Sequence, residues 1–336
     1  MNPYESIQAT LLSVLAVPGC TGDEDAIAKA IEALVKPYVD DITRDAMGNL
    51  ICTKRGNGPR IMLAGHMDQI GVVAHDIDDK GFVRVTPVGG LAPNTLYSKR
   101  ILFGNGVQGV LMRETDHPDD AWTFPRCYVD IGAATREEAQ ALVPCGTFGI
   151  VPHDATLLAN HRIAAPAMDD RAGCAVIIEA LKAMKNVPAT VIAVFTTQEE
   201  VGLRGSTAAA WSQQPDMGIA LDVTTVGDTP KCPRNACKLG GGAAIKMLDG
   251  GMVPTPALRN HMIAMAEKRG IPYQREVLPG GTTDARAMQT AHAGIPSGCI
   301  SIPTRYVHSM VETIDLADMK ACIDLLVAML EEPMKA

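Results

Sequence analysis

Short apolar runs that end in polar or charged residues set the pattern of this chain. Residues 61–64 lead into Gly65-His66-Met67-Asp68, and residues 190–197 lead past Gln198 into Glu199 and Glu200. Residues 217–221 lead into Asp222, and residues 299–302 lead, after a short loop, into His308. Runs of this length without alternation fit strands covered on both faces, as in a parallel sheet. Between them lie stretches of helical spacing or composition at 3–16, 23–38, 171–185, 204–213, 255–269, 284–293 and 315–331. Thr21 or Asp23 is expected to cap the second of these. Residues 50–54 and 60–64, joined across Gly56-Asn57-Gly58-Pro59, read as strand, turn and strand.

The texture changes after about residue 70. Segments 71–77, 81–86, 101–104 and 107–111 are short and β-rich, and Gly, Pro and Asn punctuate them. That is the pattern of a small all-β unit, interrupted by one helix near 135–142. From about 163 helix-like and strand-like segments alternate again. The expectation is an α/β fold with a mixed, mostly parallel sheet flanked by helices, built from 1–69 plus 163–336, with a β-rich domain inserted at 70–162.

Composition narrows the function. The chain has 336 residues, 47% of them apolar, enough for a large core. No run approaches the roughly 18 apolar residues of a membrane span. A net charge of −8 argues against nucleic acid or an anionic membrane as partner. The N-terminus lacks a basic stretch followed by an apolar one, so no signal peptide is expected. The nine cysteines are scattered, with no C-x-x-C, and read as reduced thiols of a cytoplasmic protein.

The chemistry sits at the strand ends, where open parallel sheets gather their sites. Glu199 and Glu200 repel each other and lose hydration there, so folding alone gives no reason to keep both. A divalent cation supplies one: one carboxylate binds the metal while its neighbour handles the proton of an activated water. His66, Asp169, Asp170, Asp222 and His308 are further candidate ligands. Asp68, two residues after His66, can hold the other ring nitrogen. Asp169 and Asp170 precede a helix, and capping accounts for one of them but not both; Arg171 is expected to pair with one. Asp222 alone also fits a turn residue. Two histidines with several carboxylates suit a pair of zinc, cobalt or manganese ions. Asp284 is read as a helix cap or as support behind the site, and Leu239-Gly240-Gly241-Gly242 as a flexible loop near it. The remaining histidines, at 75, 117, 153, 161, 261 and 292, lack an acidic neighbour at the end of a strand of the α/β domain. Neither a nucleophile elbow nor a phosphate-binding loop is present.

Five motifs in order carry a resemblance. These are Ala64-Gly65-His66-Met67-Asp68-Gln69-Ile70-Gly71, Met168-Asp169-Asp170-Arg171-Ala172-Gly173, the stretch 197–205 around Glu199-Glu200, Ala220-Leu221-Asp222-Val223, and Pro303-Thr304-Arg305-Tyr306-Val307-His308-Ser309. Together they resemble the glutamyl-aminopeptidase-like metallopeptidases (family 42), which include the tetrahedral, self-compartmentalised TET aminopeptidases and FrvX-like proteins. The resemblance implies a zinc-aminopeptidase-like fold and two divalent ions per subunit, zinc or cobalt first and manganese third. His66 and Asp222 would hold one ion, Glu200 and His308 the other, and Asp169 would bridge them. Asp68 would orient His66, Glu199 would be the general base, and the Asp169–Asp170 peptide would be cis. It further implies that the inserted unit is a barrel-like dimerisation domain and that six homodimers build a dodecamer. Near Leu91 the family often has Trp, and it differs near Gly241, so the resemblance transfers no substrate preference. The expected reaction is removal of N-terminal residues from short peptides. The alternative is a metal-dependent deacylase of N-acylated amino acids on the same site.

Overall fold

The computed structural model describes residues 3–115, 123–152, 154–185, 187–232 and 236–334. Four parallel strands form the centre of the main sheet, in the order Thr190–Thr196, Arg60–His66, Met217–Thr225, Ser297–Arg305. These are the four apolar runs of the sequence. They lack alternation because both faces are covered. Leu63, Val191, Phe195, Ile219 and Leu221 pack into one core, while Met62, Ala64, Ile192, Val194 and Ala220 pack into another on the opposite face. Each large aliphatic side chain buried this way contributes about 1.5–3 kcal/mol.

The two faces are covered unequally. On the first lie the helices Glu5–Leu15, Asp25–Val35, Met168–Ala183, Pro256–Arg269 and Leu316–Glu331. The second carries the shorter Arg204–Gln213 and Asp284–Gln289. His66 and Asp222 come two residues after Ala64 and Ala220, the last paired residues of their neighbouring strands. Side chains two apart in a strand share a face. Both ligand candidates therefore emerge on the thinly covered face, where room for a cavity remains.

Antiparallel strands extend the sheet on both sides. Leu50–Lys54 and Asp41–Arg44 flank Thr190–Thr196. Glu312–Asp315, Arg162–Ala165 and Thr156–Leu157 continue beyond Ser297–Arg305. Ala243–Leu248 and Tyr273–Val277 branch from Ser297–Arg305. The described residues thus form an eleven-stranded mixed sheet flanked by helices.

Between Gly71 and Ile150 the chain forms a closed barrel, in the order Gly71–Ile77, Val83–Val88, Cys127–Asp130, Gln108–Arg113, Arg100–Phe103, Phe148–Ile150. It has its own core, with Val72, Val83, Phe103, Leu111 and Val129 fully covered. Thr135 caps the helix Arg136–Leu142 by accepting the N–H of Glu138.

Two local expectations need correction. Neither Thr21 nor Asp23 caps the second helix, which starts after Glu24 without a side-chain cap; the Thr21 hydroxyl instead donates to Asp68 at 2.8 Å. The glycine-rich segment is not a flexible loop at the site. Gly240 and Gly242 take positive φ, and their N–H groups both donate to the Asp318 carboxylate at 2.7 Å.

Candidate metal centre and active site

Helix start, strand ends and one loop converge on Asp169. Its Oδ1 lies 2.9 Å from His66 Nε2 and its Oδ2 lies 3.3 Å from His308 Nε2. His308 Nε2 is also 3.6 Å from Glu200 Oε2, and Glu199 Oε2 is 3.9 Å from His66 Nε2. Ligand atoms of His66, Asp169 and Glu200 lie within 4.8 Å of one another, as do those of His66, Asp170 and Asp222. All five residues expected to hold metal, and Glu199, line one cavity of about 750 Å³.

The neighbouring acids divide their work. Asp170 caps the helix proper: Oδ1 accepts the N–H of Gly173 at 2.9 Å, and Oδ2 accepts that of His66 at 3.2 Å. Asp169 is thereby left to face the cavity across a cis Asp169–Asp170 peptide. Asp170, though close to His66 and Asp222, has both oxygens engaged by backbone, so Asp169 is the better ligand. Arg171 pairs with neither acid. Fully buried, it donates to the carbonyls of Met67, Val14 and Val17 and to Gln69 Oε1. It ties the first helix and its following turn to the segment after His66.

Asp68 lies behind the cavity, fully buried. Its backbone carbonyl is 3.0 Å from His66 Nδ1, nearer than its carboxylate at 3.6 Å. The carboxylate accepts the backbone N–H groups of Glu199 and Glu200, at 3.1 and 3.3 Å. Asp284 is not the cap of its helix; Thr283 is, and Asp284 accepts the Thr196 hydroxyl at 2.5 Å.

The electrostatics show too little positive charge for so many acids. Burial, then the charges of Asp222, Asp284 and Glu200, push the Glu199 carboxyl well above its ordinary range despite His66. Burial and Asp169 push Glu200 up to about 7, and push Asp222 up as well. Burial opposes ionisation of Asp169 too, but hydrogen bonds from His308 and His66 outweigh it and hold that carboxyl low. The same bonds raise both imidazoles: His308 to about 9 through Asp169, and His66 against the pull of its own burial. Glu200 Oε1 is buried and has no hydrogen-bond partner among the described residues. An orphaned carboxylate oxygen costs free energy, and a dication removes both that cost and the charge imbalance. The donor set, two imidazoles with carboxylates, fits zinc, cobalt or manganese.

Elsewhere the imidazoles do other work. His161 packs edge-on against Tyr4, His261 meets the Glu332 carbonyl, and His292 lies tilted against the Trp211 ring. His117 and His153 lie outside the described residues. The sequence did not point to two residues that matter here. Glu312 is buried beneath the centre and accepts the N–H groups of Asp169 and His308. Lys246 lines the cavity floor and pairs with Glu276 at 2.7 Å. A single Lys within the apolar 243–248 was a readable signal for the second; Glu312 carried none.

Known proteins share this fold. The profile of the M42 glutamyl aminopeptidase family matches residues 48–325. A putative aminopeptidase of Acetivibrio thermocellus is 43% identical over 312 residues, covering 93% of this chain and 94% of that one. Aminopeptidase APDkam598 from Desulfurococcus kamchatkensis superposes with a TM-score of 0.93 at 33% identity, over 98% of this chain and 95% of that one. The Pyrococcus horikoshii TET1 peptidase, described as able to assemble into a tetrahedron or a large octahedral shell, superposes with a TM-score of 0.87 at 31% identity, over 97% and 99% of the two chains. The fold and these matches define a peptidase, a hydrolase of peptide bonds. The chain belongs to the M42 glutamyl aminopeptidase family.

Proposed function

We propose that this protein is an aminopeptidase that removes N-terminal residues from short peptides with two divalent cations. His66 and Asp222 would hold one and Glu200 and His308 the other, with Asp169 shared. The observation that carries this reading is Asp169, whose two oxygens face two different imidazoles at 2.9 and 3.3 Å. When bound, the cations polarise the scissile carbonyl and lower the pKa of a water toward neutrality.

Glu199 takes the proton from the attacking water and delivers it to the leaving amine. It lines the cavity 3.9 Å from His66 Nε2, beside the residues that would hold the cations. Asp68 sets the Glu199 and Glu200 backbones by holding their N–H groups. The substrate side chain enters the cavity between Leu278, Thr282, Arg286 and Lys246. The strand Ala243–Leu248 supplies Lys246 to the cavity wall, beside the segment Gly280–Thr283.

Within this reading, 1–69 plus 163–336 form the catalytic unit and 70–162 the dimerisation unit. Homodimers assemble into a dodecamer in the cytoplasm. The TET1 peptidase shells support the assembly, and no described helix is long and apolar enough to cross a membrane. The test is a panel of aminoacyl chromogenic substrates with zinc, cobalt or manganese, alongside N-acetylated versions. An aminopeptidase cleaves the free amines and leaves the acetylated compounds intact. Cleavage of the acetylated set alone would replace the reading with a deacylase.

A further inference from the structure

One fully buried carboxylate next to the centre has no part in the chemistry above. Glu312 opens the strand Glu312–Asp315 and is 1% exposed. It makes no ion pair among the described residues. Its Oε2 accepts the N–H of Asp169 at 3.0 Å, and its Oε1 accepts the N–H of His308 at 2.7 Å. The two residues it links are 139 positions apart in sequence, 169 and 308, and face each other across the cavity.

The backbone at both places needs such support. His308 itself sits at φ +60°, and Ala167, two residues before Asp169, sits at φ +61°. Non-glycine residues enter this left-handed region only where surroundings hold them. The His308 side chain is 40% exposed, and its Nε2 faces Asp169 and Glu200. The ring lies against Gly90, and the backbone that carries it sets how far it reaches toward Asp169. The other half of the centre is anchored differently. His66 ends a paired strand, Asp222 lies within one, and Asp170 holds the backbone of His66.

We propose that Glu312 is the positioning residue for the Glu200–His308 half of the centre, setting the Asp169–His308 separation by holding both backbones on one carboxylate. This rests on the two-cation reading. The task needs two acceptor oxygens on one side chain. Gln offers one, and turns its NH₂ group toward the other N–H. Asp is a methylene too short to reach both.

The test is a cobalt titration of metal-free wild type and Glu312→Gln, followed by the visible absorption of the bound ions and by calorimetry, with His308→Ala as the one-site reference. Wild type is expected to bind two ions. Glu312→Gln is expected to keep one at wild-type affinity and to weaken the second at least tenfold, the usual cost of removing a group behind a ligand, with a spectrum approaching that of His308→Ala. Two ions bound within twofold of wild type overturn the proposal, as does equal weakening of both. Wild type that binds fewer than two ions overturns the two-cation reading, and this inference with it. If Glu312→Gln does not fold, Glu312→Asp takes its place in the same titration. Failure of both to fold makes Glu312 a folding residue and also overturns the proposal.

Discussion

Asp68 accepts the backbone N–H of Glu199 at 3.1 Å from a fully buried position. Its other oxygen takes the next N–H, that of Glu200, at 3.3 Å. The carboxylate expected to act on His66 therefore also fixes the turn that carries both glutamates. In Asp68→Asn one of the two N–H groups loses its acceptor and meets an NH₂ group. Activity should fall roughly 10–100-fold, as for other groups behind metal ligands. Steady-state kinetics with metal content measured in parallel decide it; unchanged kcat/KM removes Asp68 from this role.

Glu199 is 3.9 Å from His66 Nε2 and lines the cavity, while Glu200 stands nearer His308. Glu199→Gln keeps the shape and removes the base. Turnover should drop by roughly 10²–10⁴, the usual contribution of general acid–base catalysis. Metal content should stay at the wild-type value. A variant that turns over normally excludes Glu199 as base.

The acids of the centre outnumber its cations, so removing metal leaves their repulsion in place. Chelation should abolish activity and lower the melting temperature. Restoring cation at about a hundred times its Kd should stabilise the fold by about 2.7 kcal/mol. Differential scanning calorimetry of chelated and reloaded protein measures this. A melting temperature indifferent to chelator argues that no cation binds the folded centre.

Arg171 is buried, has no carboxylate partner among the described residues, and donates to three backbone carbonyls. Burial lowers its pKa to about 10, still far enough above neutrality to keep it charged. Arg171→Met keeps most of the volume but strands those carbonyls, each at a cost of about 1–3 kcal/mol. Urea unfolding should show a loss of at least about 3 kcal/mol on that basis. A loss below about 1 kcal/mol, the net worth of one ordinary hydrogen bond, means that water or relaxation satisfies the carbonyls.

Asp318 pins the Gly240–Gly242 turn, and burial raises its pKa from 3.8 to about 7. Between those values the folded chain holds a proton that the unfolded chain has released. Its contribution to stability therefore falls as pH rises through this window, by at most about 1.4 kcal/mol per unit, and levels off above it. Asp318→Asn lacks that slope. Wild type should lose stability relative to the variant between about pH 4 and 7, as read by urea unfolding across the window. A stability difference independent of pH contradicts the raised pKa.

Much of this was legible without coordinates. The four apolar runs became the four central strands, because strands covered on both faces must be apolar throughout. The acids and histidines at their ends were readable, because an open parallel sheet exposes those ends on one side. The glycine- and proline-punctuated stretch became a barrel, although the strands Cys127–Asp130 and Phe148–Ile150 that close it are too short to announce themselves.

Tertiary structure decided what depends on partners far apart in sequence. Which of Asp169 and Asp170 caps the helix and which faces the cavity turns on how a single peptide is oriented against His66 and Gly173. That Arg171 serves carbonyls rather than acids follows from the first helix packing over it. Glu312 was invisible because its partners are two backbone N–H groups, and a backbone group has no signature in sequence. Residue types at strand ends reveal the chemistry available; only the packed chain determines which atoms face one another.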